Sequence, residues 1–185
     1  MTFVGKHALI AHPLLGSGGI RAVDVEVAMT DGDDVLLTYH VRGGKLVLPD
    51  WATPIRENNL WQTTCFELFL KPRGLGGYFE FNFSPSTRWA AYAFDGYRSG
   101  VRDLVMPVVP HIEVIASEGG DSFCLEVDLD LSAVSNCSLD VGLSAVIEQQ
   151  DGTKFYWALR HPNPDKPDFH DPACFTLKLS PPPAA

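Results

Sequence analysis

The sequence predicts an all-β protein, a sandwich or barrel of about ten short antiparallel strands. Three observations carry this. Apolar and polar side chains alternate with a period of two in run after run, as half-buried strands require. Turn-forming clusters of Gly, Asp and Pro separate those runs. No stretch carries a sustained helical period, which excludes doubly wound nucleotide-binding folds. The chain has 185 residues, the size of one sandwich domain, and 45% of them are hydrophobic, enough to fill a core.

Residues 8–19 read as an entry segment: a short apolar run, the His12-Pro13 pair that favours an extended histidine, and a glycine turn. From Arg21 to Met29, Val23, Val25 and Val27 oppose Ala22, Asp24, Glu26 and Ala28. The Asp31-Gly32-Asp33-Asp34 turn leads into a second strand, Val35 to Val41, giving a hairpin over 21–41. Gly43-Gly44 turns the chain again. Residues 49–60 hold two prolines and no periodicity, so they form a loop that presents Trp51, Arg56 and Trp61.

The stretch 60–98 is the densest aromatic block and reads as three neighbouring strands. Phe66, Leu68 and Leu70 share one face, with Cys65, Glu67 and Phe69 on the other. Phe79, Phe81 and Phe83 likewise oppose Tyr78, Glu80, Asn82 and Ser84. Arg73–Gly77 connects these two strands as a hairpin, its glycines supplying positive φ. In the third run Trp89, Ala91 and Ala93 oppose Arg88, Ala90, Tyr92 and Phe94. One face is therefore a core surface, and the other gathers Glu67, Glu80, Asn82, Arg88 and Tyr92 for a polar ligand.

Residues 95–110 are irregular and expose Tyr97, Arg98 and Arg102. A further hairpin joins His111–Ala116 to Ser122–Leu129 around Glu118–Asp121, and residues 130–134 form a brief helical turn. Another joins Leu139–Gln149 to Lys154–Leu159, with Asp151-Gly152 favouring a type I′ turn. Four prolines make residues 160–174 a loop. Phe175–Leu179 closes the sheet, and 180–185 form a mobile tail.

A formal net charge of -9 argues against a nucleic-acid partner. No apolar run approaches the roughly 20 residues of a membrane helix, so no membrane partner is expected. The N-terminus lacks a basic region followed by an apolar one, so a cytoplasmic location is expected. Cys65, Cys124, Cys137 and Cys174 show no metal-like spacing and read as reduced thiols, with Cys65 a packing residue rather than a nucleophile.

Leu60-Trp61-Gln62 leading into Cys65–Leu70, then Tyr78–Pro85, then Pro164–His170 and Phe175–Leu177, together resemble the DOMON-like superfamily, in particular type 9 carbohydrate-binding modules. The likeness spans about residues 20–179. It implies a jelly-roll-like β-sandwich, one domain over 1–185, that binds a small ligand and is not an enzyme. Relatives clamp a sugar ring between aromatic side chains or bind haem through methionine and histidine. Trp61, Trp89, Tyr92 and Trp157 are accordingly the expected stacking residues. Glu67, Glu80, Asn82, Arg88, Gln149 and His161 are the expected hydroxyl partners. No cofactor is assigned, and a structural Ca²⁺ of the kind related modules carry stays open.

Three alternatives stand beside saccharide binding. A haem reading needs Met106 with His111 or His161 as axial pair. A weak glycoside hydrolase would use Glu67 and Glu80 as paired carboxylates. A protein-interaction scaffold would use an exposed strand edge. His161, Asp165, Asp168, His170 and Asp171 look like ligands, but their spacing is irregular and the metal content is left unknown.

Overall fold

The computed structural model describes residues 2–30, 34–115, 121–132, 134 and 137–179. Parts of two expected hairpin turns (31–33 and 118–120), Ala116 at the end of an expected strand, Ala133 of the helical turn and the tail from Ser180 lie outside the described residues. Within the described residues the chain forms twelve strands. They are β1 (Thr2–Ala11), β2 (Ile20–Met29), β3 (Asp34–Gly43), β4 (Cys65–Pro72), β5 (Tyr78–Phe83), β6 (Trp89–Phe94), β7 (Arg102–Asp103), β8 (His111–Ile115), β9 (Ser122–Asp130), β10 (Leu139–Glu148), β11 (Lys154–Ala158) and β12 (Leu177–Leu179). Among the described residues its helical elements are two three-residue 3-10 turns, Leu60–Gln62 and Pro172–Cys174. The fold is an all-β antiparallel sandwich, as the alternation predicts.

All strand pairs are antiparallel and follow one path, β7-β6-β5-β4-β10-β11-β1-β2-β3-β9-β8, with β12 also on β10. The path folds over so that β1–β3, β8 and β9 make one layer and β4–β7 and β10–β12 the other. β1 joins the two, pairing with β2 along most of its length and with β11 through Ile10 and Ala11. This strand takes up residues 8–11 of the expected entry segment, while 12–19 form the expected turn. Its alternation is masked because the exposed positions include the apolar Ala8 and Ile10.

The core lies between the layers and is built as the period of two requires. Val23, Val25 and Val27 of β2 meet Phe66, Leu68 and Leu70 of β4, and Phe81 and Phe83 of β5, in one cluster. Phe66, Phe81 and Phe83 are fully buried, and each contributes about 2–3 kcal/mol of apolar burial. Tyr39 crosses this core and its hydroxyl donates to the Glu67 carbonyl at 2.9 Å. That bond satisfies the one polar atom the ring brings inside.

The outer face of the second layer is not open to solvent. The segment 160–175 folds back over it and seats Phe169, Cys174 and Phe175 against Phe69, Tyr78, Phe94, Val146 and Ala158. Gly142 on β10 makes that approach close: a Cβ there would lie 2.6 Å from the Phe175 ring. The segment is anchored at its start by His12, whose Nε2 is 3.0 Å from the Asn163 carbonyl, and by His161, whose Nε2 is 2.9 Å from the Ile10 carbonyl. The Leu14 amide donates to His12 Nδ1, so Nε2 is the ring's donor to the Asn163 carbonyl.

Candidate functional site

Register sets the outer face of the second layer. Glu67 on β4 pairs with Asn82 on β5 and with Ser144 on β10. One row on, Glu80 on β5 pairs with Phe69 on β4 and Tyr92 on β6. Glu67 and Glu80 are therefore diagonal neighbours on adjacent strands. Between this face, the 160–175 segment and the loop ahead of β4 lies a cavity of about 680 Å³. Its floor holds Glu67 and Glu80. Its aromatic lining is Trp61, Tyr92, Phe94, Tyr156 and Phe169, and its other polar lining is Asn58, Asn59, Arg98 and His170.

Glu67 and Glu80 are 3% and 6% exposed. Glu67 Oε2 accepts from the Ser144 hydroxyl at 2.9 Å, and Glu80 Oε1 accepts from the Asn82 amide at 2.7 Å. Burial is the largest influence on Glu67 and the Glu80 charge adds to it, raising its pKa to about 8 against the bonding from Ser144. Burial also raises Glu80, opposed by the Asn82 bond and by Arg98. Burial and mutual repulsion thus favour a proton on the pair at neutral pH, held by Glu67.

His170 covers this floor. Its Nδ1 lies 2.8 Å from the Tyr78 hydroxyl and its Nε2 lies 3.8 Å from Glu80 Oε2. The ring packs edge-on against Phe69 and Phe94, each with centroids 5.3 Å away. Burial, with the Arg98 charge, lowers its pKa to about 4, so the imidazole is neutral. The Tyr78 hydroxyl receives the Arg98 amide at 3.3 Å. Its own proton is available to His170 Nδ1, and in that tautomer the ring proton is on Nε2, facing Glu80.

Arg98 follows β6 with φ 50° and reaches across to Asp168 Oδ1 at 2.8 Å. Asp168 also accepts from the Tyr97 hydroxyl and from the His170 amide, and these contacts hold its carboxyl below the usual range despite burial. A second left-handed residue, Asn59 at φ 64°, also lines the cavity. Asparagine and glycine adopt this conformation most readily, so Arg98 is the strained one. Tyr92 is held from both ends: its hydroxyl donates to Asn58 Oδ1 at 2.8 Å, and the Arg56 guanidinium sits 5.1 Å from its ring centroid.

Of the residues expected from the sequence, the cavity brings together Trp61, Glu67, Glu80 and Tyr92. Asn82 lies beneath it and supports Glu80, with its own Oδ1 taking the Cys65 thiol. Arg88 is turned to Glu57 at the end of β6. Trp89 and Trp157 are core residues, a correction to their expected stacking role. Parity explains it: Trp89 follows Arg88 and shares the inner face with Ala91, and Tyr156 rather than Trp157 points to the cavity. His161 belongs to the anchor at β1 rather than to the cavity lining, and Gln149 donates to the Gly18 carbonyl. Tyr156 was legible from alternation in β11. Arg98 and His170 carried no local signal of convergence.

Among the described residues, no three His, Cys, Asp or Glu side chains gather as metal ligands. Asp168 is occupied by Tyr97 and Arg98, and Asp171 caps the 172–174 turn by accepting from the Ala173 amide. Met106 packs against the core, while His111 is exposed beside Glu113. Cys65, Cys124, Cys137 and Cys174 are free thiols. Among the described residues no helix is long and apolar enough to cross a membrane.

No protein-family model matches the chain, and no curated protein matches it in sequence. Solved structures match its fold. A protein of Bacteroides uniformis ATCC 8492 presumed to bind carbohydrate is similar at a TM-score of 0.67 and 18% identity, over 95% of this chain and 85% of that one. A family 9 carbohydrate-binding module of Caldicellulosiruptor kristjanssonii, solved with cellotriose, is similar at a TM-score of 0.54 and 10% identity, over 89% and 76%. The same module with glucose gives a TM-score of 0.54 and 10% identity, over 89% and 78%.

Proposed function

We propose that this protein is a non-catalytic binding domain for a saccharide or sugar-derived small molecule, held in the cavity above Glu67 and Glu80. The observation that carries the reading is the lining itself. Aromatic planes surround a floor of buried carboxyls, and a sugar ring presents an apolar face together with hydroxyls that need donors and acceptors. Trp61 is 49% exposed, so it is free to close over a ring. Asn58, Asn59, Arg98 and His170 supply further hydrogen-bonding groups around it. The carbohydrate-binding neighbours in fold support the same reading.

Of the four tryptophans only Trp61 lines the cavity, so fluorescence offers a direct test. Titrating mono- and oligosaccharides should change tryptophan emission in the wild type and not in Trp61→Phe. Silence across the whole panel sinks the proposal. A second reading, glycoside hydrolysis, draws on one observation: two buried carboxyls on adjacent strands, with burial favouring the protonated form of Glu67, have the form of an acid and its partner. Turnover of chromogenic glycosides, lost in both Glu67→Gln and Glu80→Gln, would favour that reading instead.

A further inference from the structure

We infer that the ligand carries a protonated amine, an amino sugar if the saccharide reading holds, with its ammonium group seated on Glu67 and Glu80. The inference rests on that reading for the sugar ring but not for the ammonium group. Among the described residues, neither carboxyl forms an ion pair with a lysine or arginine; His170 Nε2 lies 3.8 Å from Glu80 Oε2. Each carboxyl has one oxygen engaged by a neutral donor, Ser144 for Glu67 and Asn82 for Glu80. Glu67 Oε1 and Glu80 Oε2 remain for a ligand. The one arginine lining the cavity, Arg98, is committed to Asp168.

The other groups facing the pair do not supply the missing positive charge. They are Cys65 beside it on β4, Asn82 and Tyr78 on β5, Tyr92 on β6, Ser144 on β10, Tyr156 on β11, and Tyr39, which reaches the Glu67 carbonyl from the opposite layer. Arg98 is paired with Asp168; its charge lowers the pKa of both carboxyls from a distance but forms an ion pair with neither, and the neutral His170 adds nothing. A hydroxyl group would bond to these oxygens without compensating their charge. An ammonium group carries three donors and no acceptor, which suits two neighbouring acceptor oxygens in a buried floor. Tyr92, Phe94, Tyr156 and Phe169 line the same space, where ring faces favour a cation.

Seating a cation there makes the ionised form of Glu67 favourable, so the proton that burial keeps on it passes to solvent. The test is calorimetric titration of the full chain at pH 6.5 with D-glucosamine, glucose and ethanolamine, each in two buffers of different ionisation enthalpy. D-Glucosamine is expected to bind at least ~10-fold tighter than glucose and to release up to about one proton. Glu67→Gln should abolish both the release and the preference. Arg98→Gln, at a half-exposed position, should tighten D-glucosamine several-fold by removing a nearby positive charge; unchanged or weaker binding would count against the inference. Glucose binding as tightly as D-glucosamine, or D-glucosamine binding with no proton release, overturns the amine site and leaves the saccharide reading standing. Binding of neither sugar overturns the saccharide reading. Ethanolamine then decides the rest: proton-releasing binding upholds the amine site, and no binding overturns it too.

Discussion

The Tyr78 hydroxyl lies 2.8 Å from His170 Nδ1, across 92 residues of sequence. This contact fastens the 160–175 segment to the outer face of the sheet and aims the far side of the imidazole at Glu80. It couples a strand defined by local alternation to a loop that has no periodic signal. Removing the hydroxyl leaves the buried His170 Nδ1 and the Arg98 amide without their partner. Tyr78→Phe should cost about 1–2 kcal/mol in urea unfolding and should raise amide exchange in 160–175 more than in β2 or β3. Uniform exchange across the chain would place the role of Tyr78 elsewhere.

Asp168 collects Tyr97, Arg98 and the His170 amide at one buried carboxylate. Asp168→Ala should destabilise the fold by about 2–3 kcal/mol, a range tempered because Arg98 is half exposed and screened. The Asp168 pKa is depressed, so its contribution is present above pH 3.8 and fades as pH falls through the lower folded value. A variant as stable as wild type at pH 7 would contradict this assignment.

Glu67 and His170 give stability opposite pH slopes. The folded Glu67 pKa of about 8 lies above 4.5, so its contribution is complete below pH 4.5 and is lost as pH rises towards 8. Glu80 is shifted the same way. The folded His170 pKa of about 4 lies below 6.5, so its contribution is complete above pH 6.5 and is lost as pH falls towards 4. Glu67 and His170 therefore offset each other between pH 4.5 and 6.5, and above 6.5 only loss remains. Urea unfolding should show stability falling by about 1–2 kcal/mol from pH 6.5 to 8, the slope of one proton. Glu67→Gln should flatten that decline; an equally steep profile in the variant would refute the buried proton.

Gly142 admits Phe175 against β10, with room for no side chain. Gly142→Ala should destabilise the protein by about 1–3 kcal/mol through overpacking. The added methyl should also shift the 160–175 segment, read as weaker ligand-induced quenching of Trp61. Retained stability with unaltered quenching would show that the ring accommodates the methyl freely.

Burial drives the Cys174 thiol up to about 12, with Asp171 and Asp168 adding to it, and it is bonded to the Asp168 carbonyl at 3.2 Å. Thiolate is the reactive form, so Cys174 should resist alkylation in the folded protein at pH 8. It should react promptly in urea, as peptide mass mapping would show. Rapid labelling without denaturant would mean that the covering segment opens readily.

The period of two was enough to assign faces. Phe66, Leu68, Leu70, Phe81 and Phe83 had to turn inward, and Glu67, Glu80 and Tyr92 had to share the opposite face, because successive side chains on a strand point to opposite sides. The same rule, applied strictly, would have sent Trp89 and Trp157 to the core and Tyr156 to the cavity. Aromatic character outweighed parity in the expectation, and parity prevailed in the fold. β1 escaped notice because its exposed positions are partly apolar, so its pairing with β2 and β11 left no alternation to detect.

Sequence by itself therefore determined the all-β class, most strands and the two-faced character of 60–98, all of which are local properties of the chain. Only the tertiary structure decided that the polar face is buried, roofed by 160–175 and hollowed into a cavity. Ser144 reaches Glu67 through strand pairing 77 residues away. Arg98 meets Asp168 at a separation of 70 residues. Such contacts follow from sheet order and from a proline-rich loop folding back, and neither is written in any periodicity. The pKa of Glu67 belongs with them, because desolvation exists only once distant segments have closed over the carboxyl.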